Sequence, residues 1–200
     1  FHESNERMLD QRRMLPADKI KGEFLDIMKN NIAAVVTGET GSGKTTQIPQ
    51  FLLEQYPTSK VLVMQPRRLA AVGVAMRGAD EMNCTIGEEV GYMIKGDTKC
   101  SNKTQLAFCT YGVLLRLMKE DDILSTVDYV ILDEVHERGM ESDFALGLLV
   151  KALQNPASHF KLILMSATIS LDKFSIYLGK YMYLKESHGK TKVNNTNDSN

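Results

Sequence analysis

Short apolar runs bounded by turn-forming residues recur along the chain, at residues 33–37, 60–64, 105–109, 127–132 and 161–165. Each is shorter than a helix needs and lacks the polar alternation of a half-exposed strand, which predicts central strands of a parallel sheet covered on both faces. Between them, residues 45–55, 69–82, 112–118 and 142–153 place apolar side chains at i, i+3 and i+4, the spacing of helices with one buried face. Strands alternating with helices predict a wound βαβ sheet, and such sheets bind ligands beyond the carboxyl ends of their strands. Chemistry-bearing residues are therefore expected just after strands. No internal repeat is visible, and the end of the chain from residue 188, which carries GKTKVNNTNDSN, reads as a disordered or linker tail.

Composition narrows the class without changing this outline. A length of 200 residues fits one α/β domain with short extensions. The hydrophobic fraction of 43%, the charged fraction of 24% and the 14 glycines lie near soluble globular averages, so a packed core is expected and disorder of the whole chain is excluded. No apolar run reaches the roughly 18 to 20 residues of a membrane helix. The opening FHESNERMLDQRR has no apolar signal core. The expectation is an intracellular protein, cytoplasmic or nuclear, with no membrane partner. Cys84, Cys100 and Cys109 share no CxxC or Cys/His spacing and are expected as reduced, mostly buried thiols. The net charge of −1 supplies no overall basic field, so any nucleic-acid contact must come from local clusters.

The most specific motif is GETGSGKT, Gly38 to Thr45, which leaves the strand 33–37 and opens the helix that begins near Lys44. Gly41 and Gly43 allow the backbone to turn so that successive amides point at phosphate oxygens, and the helix N-terminus adds partial positive charge. Lys44 is placed to reach β and γ phosphates. The Thr45 hydroxyl is placed to bind Mg²⁺. The plain alternative is a glycine-rich turn.

A second signal is VDYVILDEVH, Val127 to His136, where an apolar strand ends in two carboxylates. Unpartnered burial of Asp133 and Glu134 would be costly, so something cationic or protic is expected at that strand end. If this strand neighbours the one before the phosphate loop, Asp133 can hold Mg²⁺ through water while Glu134 positions and deprotonates the attacking water. The alternative is an acidic pair that caps Arg138 or a helix N-terminus.

GETGSGKTTQIPQ, QPRRLAA, TYGVLLR, DEVHER and SAT, in that order over Gly38 to Thr168, resemble motifs I, Ia, Ib, II and III of the DEAH/RHA-type (DExH-box) RNA helicases. The resemblance implies a three-layer RecA-like P-loop NTPase domain, α/β with a mainly parallel central sheet, over residues 32–187, preceded by a helical lead-in over residues 1–31. It implies ATP, and other NTPs as competitors, held with Mg²⁺ by Gly38, Glu39, Thr40, Gly41, Ser42, Gly43, Lys44, Thr45 and Thr46. His136 would communicate with a second motor domain. Ser166 and Thr168 would couple hydrolysis to movement. Arg67 and Arg68 oppose the dipole of the helix they precede, a cost that an anion would relieve. In the family this segment contacts the backbone of single-stranded RNA; surface salt bridging is the alternative. Arg77 matches an arginine that stacks on the base, although it could equally snorkel into solvent.

Departures from the family pattern matter too. Tyr111 stands between Thr110 and Gly112 where a small polar or acidic residue is commoner; Thr110 remains a candidate phosphate contact, and the tyrosine either stacks on a base or packs. Lys95 stands where arginine is frequent and lacks the bidentate fork. No adenine-reading glutamine motif is evident, and the family's QRxGRxGR motif is absent. A second RecA-like domain is therefore expected outside this sequence, with a regulatory protein as a further partner. Two other readings stand beside the RNA motor: a nucleotide-dependent switch with little catalysis, and a DNA helicase, since nothing here senses a 2′-hydroxyl.

Overall fold

The computed structural model describes Arg12, residues 14–120, residues 122–167 and Met182–Lys185. Strands β1 (Ala33–Thr37), β2 (Val61–Gln65), β3 (Val90–Ile94), β4 (Asp97–Lys99), β5 (Leu106–Thr110), β6 (Tyr129–Leu132), β7 (Lys161–Ser166) and β8 (Met182–Lys185) form an eight-stranded sheet in the order β4-β3-β5-β2-β6-β7-β1-β8. Neighbouring strands run parallel except in the β3–β4 hairpin. The helices are α1 (Lys21–Asn30), α2 (Lys44–Gln55), α3 (Arg68–Glu81), α4 (Tyr111–Glu120) and α5 (Met140–Leu153).

Strand periodicity explains the three layers. Successive side chains of a strand point to opposite faces. Ala34 and Val36 of β1 accordingly join Phe24, Ile48, Phe51, Ala71 and Ala75 of α1, α2 and α3 in one core. Ala33 and Val35 join Leu114 of α4 and Ala145 and Leu149 of α5 in the other. Because both faces are covered, β1, β2 and β6 carry no polar alternation, and this is the continuous apolar signal visible in the sequence.

The predicted strands and helices appear within a residue or two of their expected ends, but three points differ. β7 lies between β6 and β1, so the strand ending in Asp133 does not neighbour the strand before the phosphate loop. Of the cysteines, only Cys109 is buried; Cys84 and Cys100 are half-exposed. The β3–β4 hairpin was hidden because β3 carries Gly91 and a polar turn follows at once. That glycine is required by close approach: a Cβ there would lie 2.2 Å from the Lys99 carbonyl oxygen and 2.7 Å from Cys100 Sγ. No described helix is long and apolar enough to cross a membrane. The proposed tail from residue 188 and residues 1–11 of the lead-in lie outside the described residues.

Gly91→Ala should therefore push β4 off β3 and destabilise the domain by about 1–3 kcal/mol. Urea denaturation reads this directly, and an unchanged midpoint would contradict the close approach.

Candidate functional site

The loop after β1 is anchored at its start by Gly38 N–H, which donates to the Ser166 carbonyl of β7 at 3.2 Å. Gly41 and Gly43 then take φ of +82° and +89°, the left-handed region that favours glycine. Gly43 is also crowded, since a Cβ there would stand 2.8 Å from Leu15 Cδ1. Gly43 is the N-cap of α2 and makes no side-chain cap. The first amides of α2 have no carbonyl of their own helix to meet, which leaves an electropositive terminus suited to an anion. The lead-in supports the loop from behind, with Ala17 N–H donating to Ser42 O at 3.1 Å.

Lys44 is buried at the base of the loop. Its Nζ donates to the carbonyls of Gly38 and Glu39 and, at 3.2 Å, to Ser42 Oγ. Burial lowers its pKa, and the negative charges of Asp133 and Glu134 oppose that shift. The adjacent Thr45 hydroxyl donates to Asp133 Oδ2 at 2.6 Å, a contact between residues 88 apart in sequence. Gln65, the last residue of β2, donates from Nε2 to the same oxygen at 2.7 Å, and Glu134 N–H donates to Asp133 Oδ1 at 2.9 Å. A carboxylate only 1% exposed is thus met by donors from three directions. It does not cap Arg138, which pairs with Asp143 at 3.0 Å.

After Asp133 the chain leaves the sheet sharply. Glu134 takes φ +55° and Arg138 φ +51°, bracketing the single 3₁₀ turn Val135–Glu137. Burial, then the charge of Asp133, raises the pKa of Glu134, while His136 and Lys44 pull it back. His136 Nδ1 accepts from Ala167 N–H at 3.3 Å. The same nitrogen lies 3.3 Å from Glu134 Oε2. The turn is thereby tied to the end of β7, directly beneath the loop.

An open cleft of about 290 Å³ is lined by Leu15, Thr40, Gly41, Gly43, Lys44, Thr45, Thr46, Arg77, Glu81 and Glu134. Arg77 borders it with its Nε 2.6 Å from Glu81 Oε1. Glu81 has a side chain only 1% exposed. Its Oε2 accepts from Gln47 Nε2 at 2.8 Å and Gln50 Nε2 at 2.7 Å, and Arg12 Nε lies 3.9 Å away. Arg12 also donates to Gln47 Oε1 at 2.9 Å and to Glu54 Oε1 at 2.8 Å, so one buried network joins the lead-in, α2 and α3. The sequence reading missed Leu15, Gln47, Gln50, Gln65 and Glu81. Only the i,i+4 spacing of Arg77 and Glu81 offered a local sign.

The remaining predicted residues that the structure describes do not line the cleft. Arg67 pairs with Glu137 at 3.2 Å, an exposed bridge of the kind weighed as the alternative for it. Arg68 donates to the Lys95 carbonyl at 2.7 Å, fastening α3 to the β3–β4 turn. Thr110 is half-buried at the end of β5. Tyr111 is 2% exposed and packs in the core beneath α4, so it is not placed to stack on a base. Ser166 is buried at the end of β7, and Thr168 lies outside the described residues.

A parallel sheet covered on both faces, a glycine-rich loop opening a helix, and a buried aspartate meeting the next residue after the loop lysine define a RecA-like α/β domain of the P-loop class. Residues 18–175 match the family model described as DEAD/DEAH box helicase, and the chain belongs to that family. It is 48% identical over 174 residues to "DExH-box ATP-dependent RNA helicase DExH1" of Arabidopsis thaliana, covering 84% of this chain and 17% of that protein. It is 44% identical over 184 residues to "ATP-dependent RNA helicase DHX29" of Homo sapiens, covering 86% of this chain and 13% of that protein. Against "DExH-box ATP-dependent RNA helicase DExH3" of Arabidopsis thaliana the identity is 43% over 180 residues, or 87% of this chain and 15% of the relative. The chain therefore spans less than a fifth of the length of these relatives.

Glu81→Ala would remove one of the two acceptors of each buried amide, leaving Gln47 and Gln50 only their bonds to Thr46, and would free Arg77. Unfolding free energy should fall by about 3 kcal/mol, the scale of a broken buried ionic network. A loss below about 0.5 kcal/mol in chemical denaturation would show that the network contributes little.

Proposed function

We propose that this chain is the first motor domain of an ATP-dependent RNA helicase, binding Mg-ATP in the cleft and acting with a second RecA-like domain. The observation that carries the reading is the 2.6 Å contact of Thr45 with Asp133, which sets a buried aspartate behind an opening lined by the loop lysine, the Thr45 hydroxyl and Glu134. The loop amides from Gly38 to Thr46 and the Lys44 ammonium hold the phosphates. Arg77 covers a face of the base.

A hydroxyl and a carboxylate side by side fit a hard cation that takes few protein ligands and keeps several waters, so Thr45 and, through water, Asp133 would hold Mg²⁺. When bound, the ion neutralises charge on the β and γ phosphates. Glu134 orients the attacking water and accepts its proton; burial and the neighbouring Asp133 charge raise its proton affinity, which favours acceptance. His136 communicates with the second domain, and Ser166 and Thr168 couple hydrolysis to movement.

RNA is the proposed polymer, gripped by its single-stranded backbone at Arg67, Arg68 and Thr110. An exposed bridge such as Arg67–Glu137 contributes roughly 0–1 kcal/mol, so a phosphate can displace it readily. The arginines that meet transition-state charge come from the second domain, and a regulatory protein partner would act on how the two domains close.

The decisive experiment is RNA-stimulated ATP hydrolysis and strand separation by the full-length protein. Glu134→Gln should leave Mg-ATP binding nearly intact and cut turnover at least about 100-fold. Lys44→Ala should weaken nucleotide binding itself. Turnover within a few-fold of the parent for Glu134→Gln would remove Glu134 as the base.

Base selectivity gives a second test. A base held by its face should be replaceable, so GTP should compete with ATP within about tenfold, or roughly 1.4 kcal/mol. A hundredfold preference in binding titrations would require base-edge hydrogen bonds instead.

A further inference from the structure

Tyr111 opens α4 immediately after β5 ends at Thr110, and its ring packs in the same core as Val113, Leu114 and Val135. Its hydroxyl donates to the carbonyl oxygen of Asp133 at 2.5 Å. That carbonyl belongs to the peptide joining Asp133 to Glu134. Here the chain has just passed Leu132, the last residue of β6 in register with both its neighbours. Asp133 N–H still donates to Met64 O at 3.1 Å. Asp133 is thus held on both sides of its Cα, by β2 on the amide side and by the phenol on the carbonyl side.

The peptide fixed in this way leads into a strained residue. Glu134 at φ +55° occupies a region that a side-chain-bearing residue enters at a cost and keeps only when its surroundings demand it. Rotation of the Asp133–Glu134 peptide plane would swing the Glu134 side chain relative to Lys44 and Thr45. We infer that Tyr111 is a positioning residue for Glu134, its hydroxyl holding the peptide that aims the Glu134 carboxylate into the cleft. The inference rests on the proposed role of Glu134 as base.

The phenol suits this task. Burial, followed by the negative charge of Asp133 and, more weakly, of Glu134 and Glu137, pushes its pKa up, so it remains a protonated donor throughout the neutral range. A shorter side chain at this position would not span from the start of α4 to the end of β6. The position therefore differs in kind from a surface residue of an adjoining loop: its single polar atom is spent on the backbone of the catalytic turn.

The test is a double-mutant cycle in the full-length protein, read by single-turnover ATP hydrolysis and by nucleotide affinity. Tyr111→Phe keeps the ring and removes only the donor; hydrolysis should slow about tenfold while the Kd for Mg-ATP stays within about twofold. In the Glu134→Gln background the same change should have no further effect, because the side chain being aimed is already inert. Equal slowing in both backgrounds would mark Tyr111 as merely structural and overturn the inference, as would undiminished hydrolysis by Tyr111→Phe. Undiminished hydrolysis by Glu134→Gln alone would instead sink the base assignment, and the inference with it.

Discussion

A carboxylate as deeply buried as Asp133 is tolerated only where donors surround it, and here they come from three separate pieces of the chain. Thr45 arrives from the start of α2, Gln65 from the end of β2, and the Glu134 amide from the turn beyond β6. Shifting any one of them by an ångström would leave a buried lone pair unmet. The relative placement of the loop, the end of β2 and the turn after β6 is therefore fixed by one side chain. β7 intervenes between β1 and β6, so the loop must reach across its end, and the Gly38 to Ser166 bond is the pier for that crossing.

Glu81 does comparable work at the other wall of the cleft, with a different outcome. Its acceptor sites are taken by Gln47, Gln50 and Arg77, with Arg12 close by, so it has little capacity to read a ligand. What it does instead is hold Arg77 at the rim and lock α3 onto α2 and the lead-in. The two buried acids divide the labour: Asp133 ties the loop to the turn after β6, and Glu81 stiffens the frame around the cleft. Lys44 belongs to the first group, since the negative charges of Asp133 and Glu134 oppose the lowering of its pKa by burial.

What was legible in the sequence was local. Gly41 and Gly43 announce a left-handed turn before a helix, and the apolar run ending in Asp133 and Glu134 announces a buried strand end, because each signal lies within about ten residues of its structural consequence. The partners of these residues were not legible. Gln65 meets Asp133 across 68 residues and Gln50 meets Glu81 across 31, and neither glutamine differs in the sequence from an ordinary surface amide. Strand order failed for the same reason: nothing near Asp133 reveals that β7, which follows it, inserts next to β1. Tyr111 left stacking and packing open because an aromatic residue after a strand is compatible with both, and only the core around α4 decides between them.

The turn after β6 is held differently at its two ends. At Asp133 it is held by a buried hydroxyl and by the sheet, bonds that solvent and salt do not weaken. At Glu137 it is held by Arg67, whose side chain is 74% exposed, through a bridge that screening and competition readily undo. Between the two, His136 is tied to Ala167 at the end of β7. The two positive-φ residues of this turn, Glu134 and Arg138, bracket the segment that runs between these differently held ends.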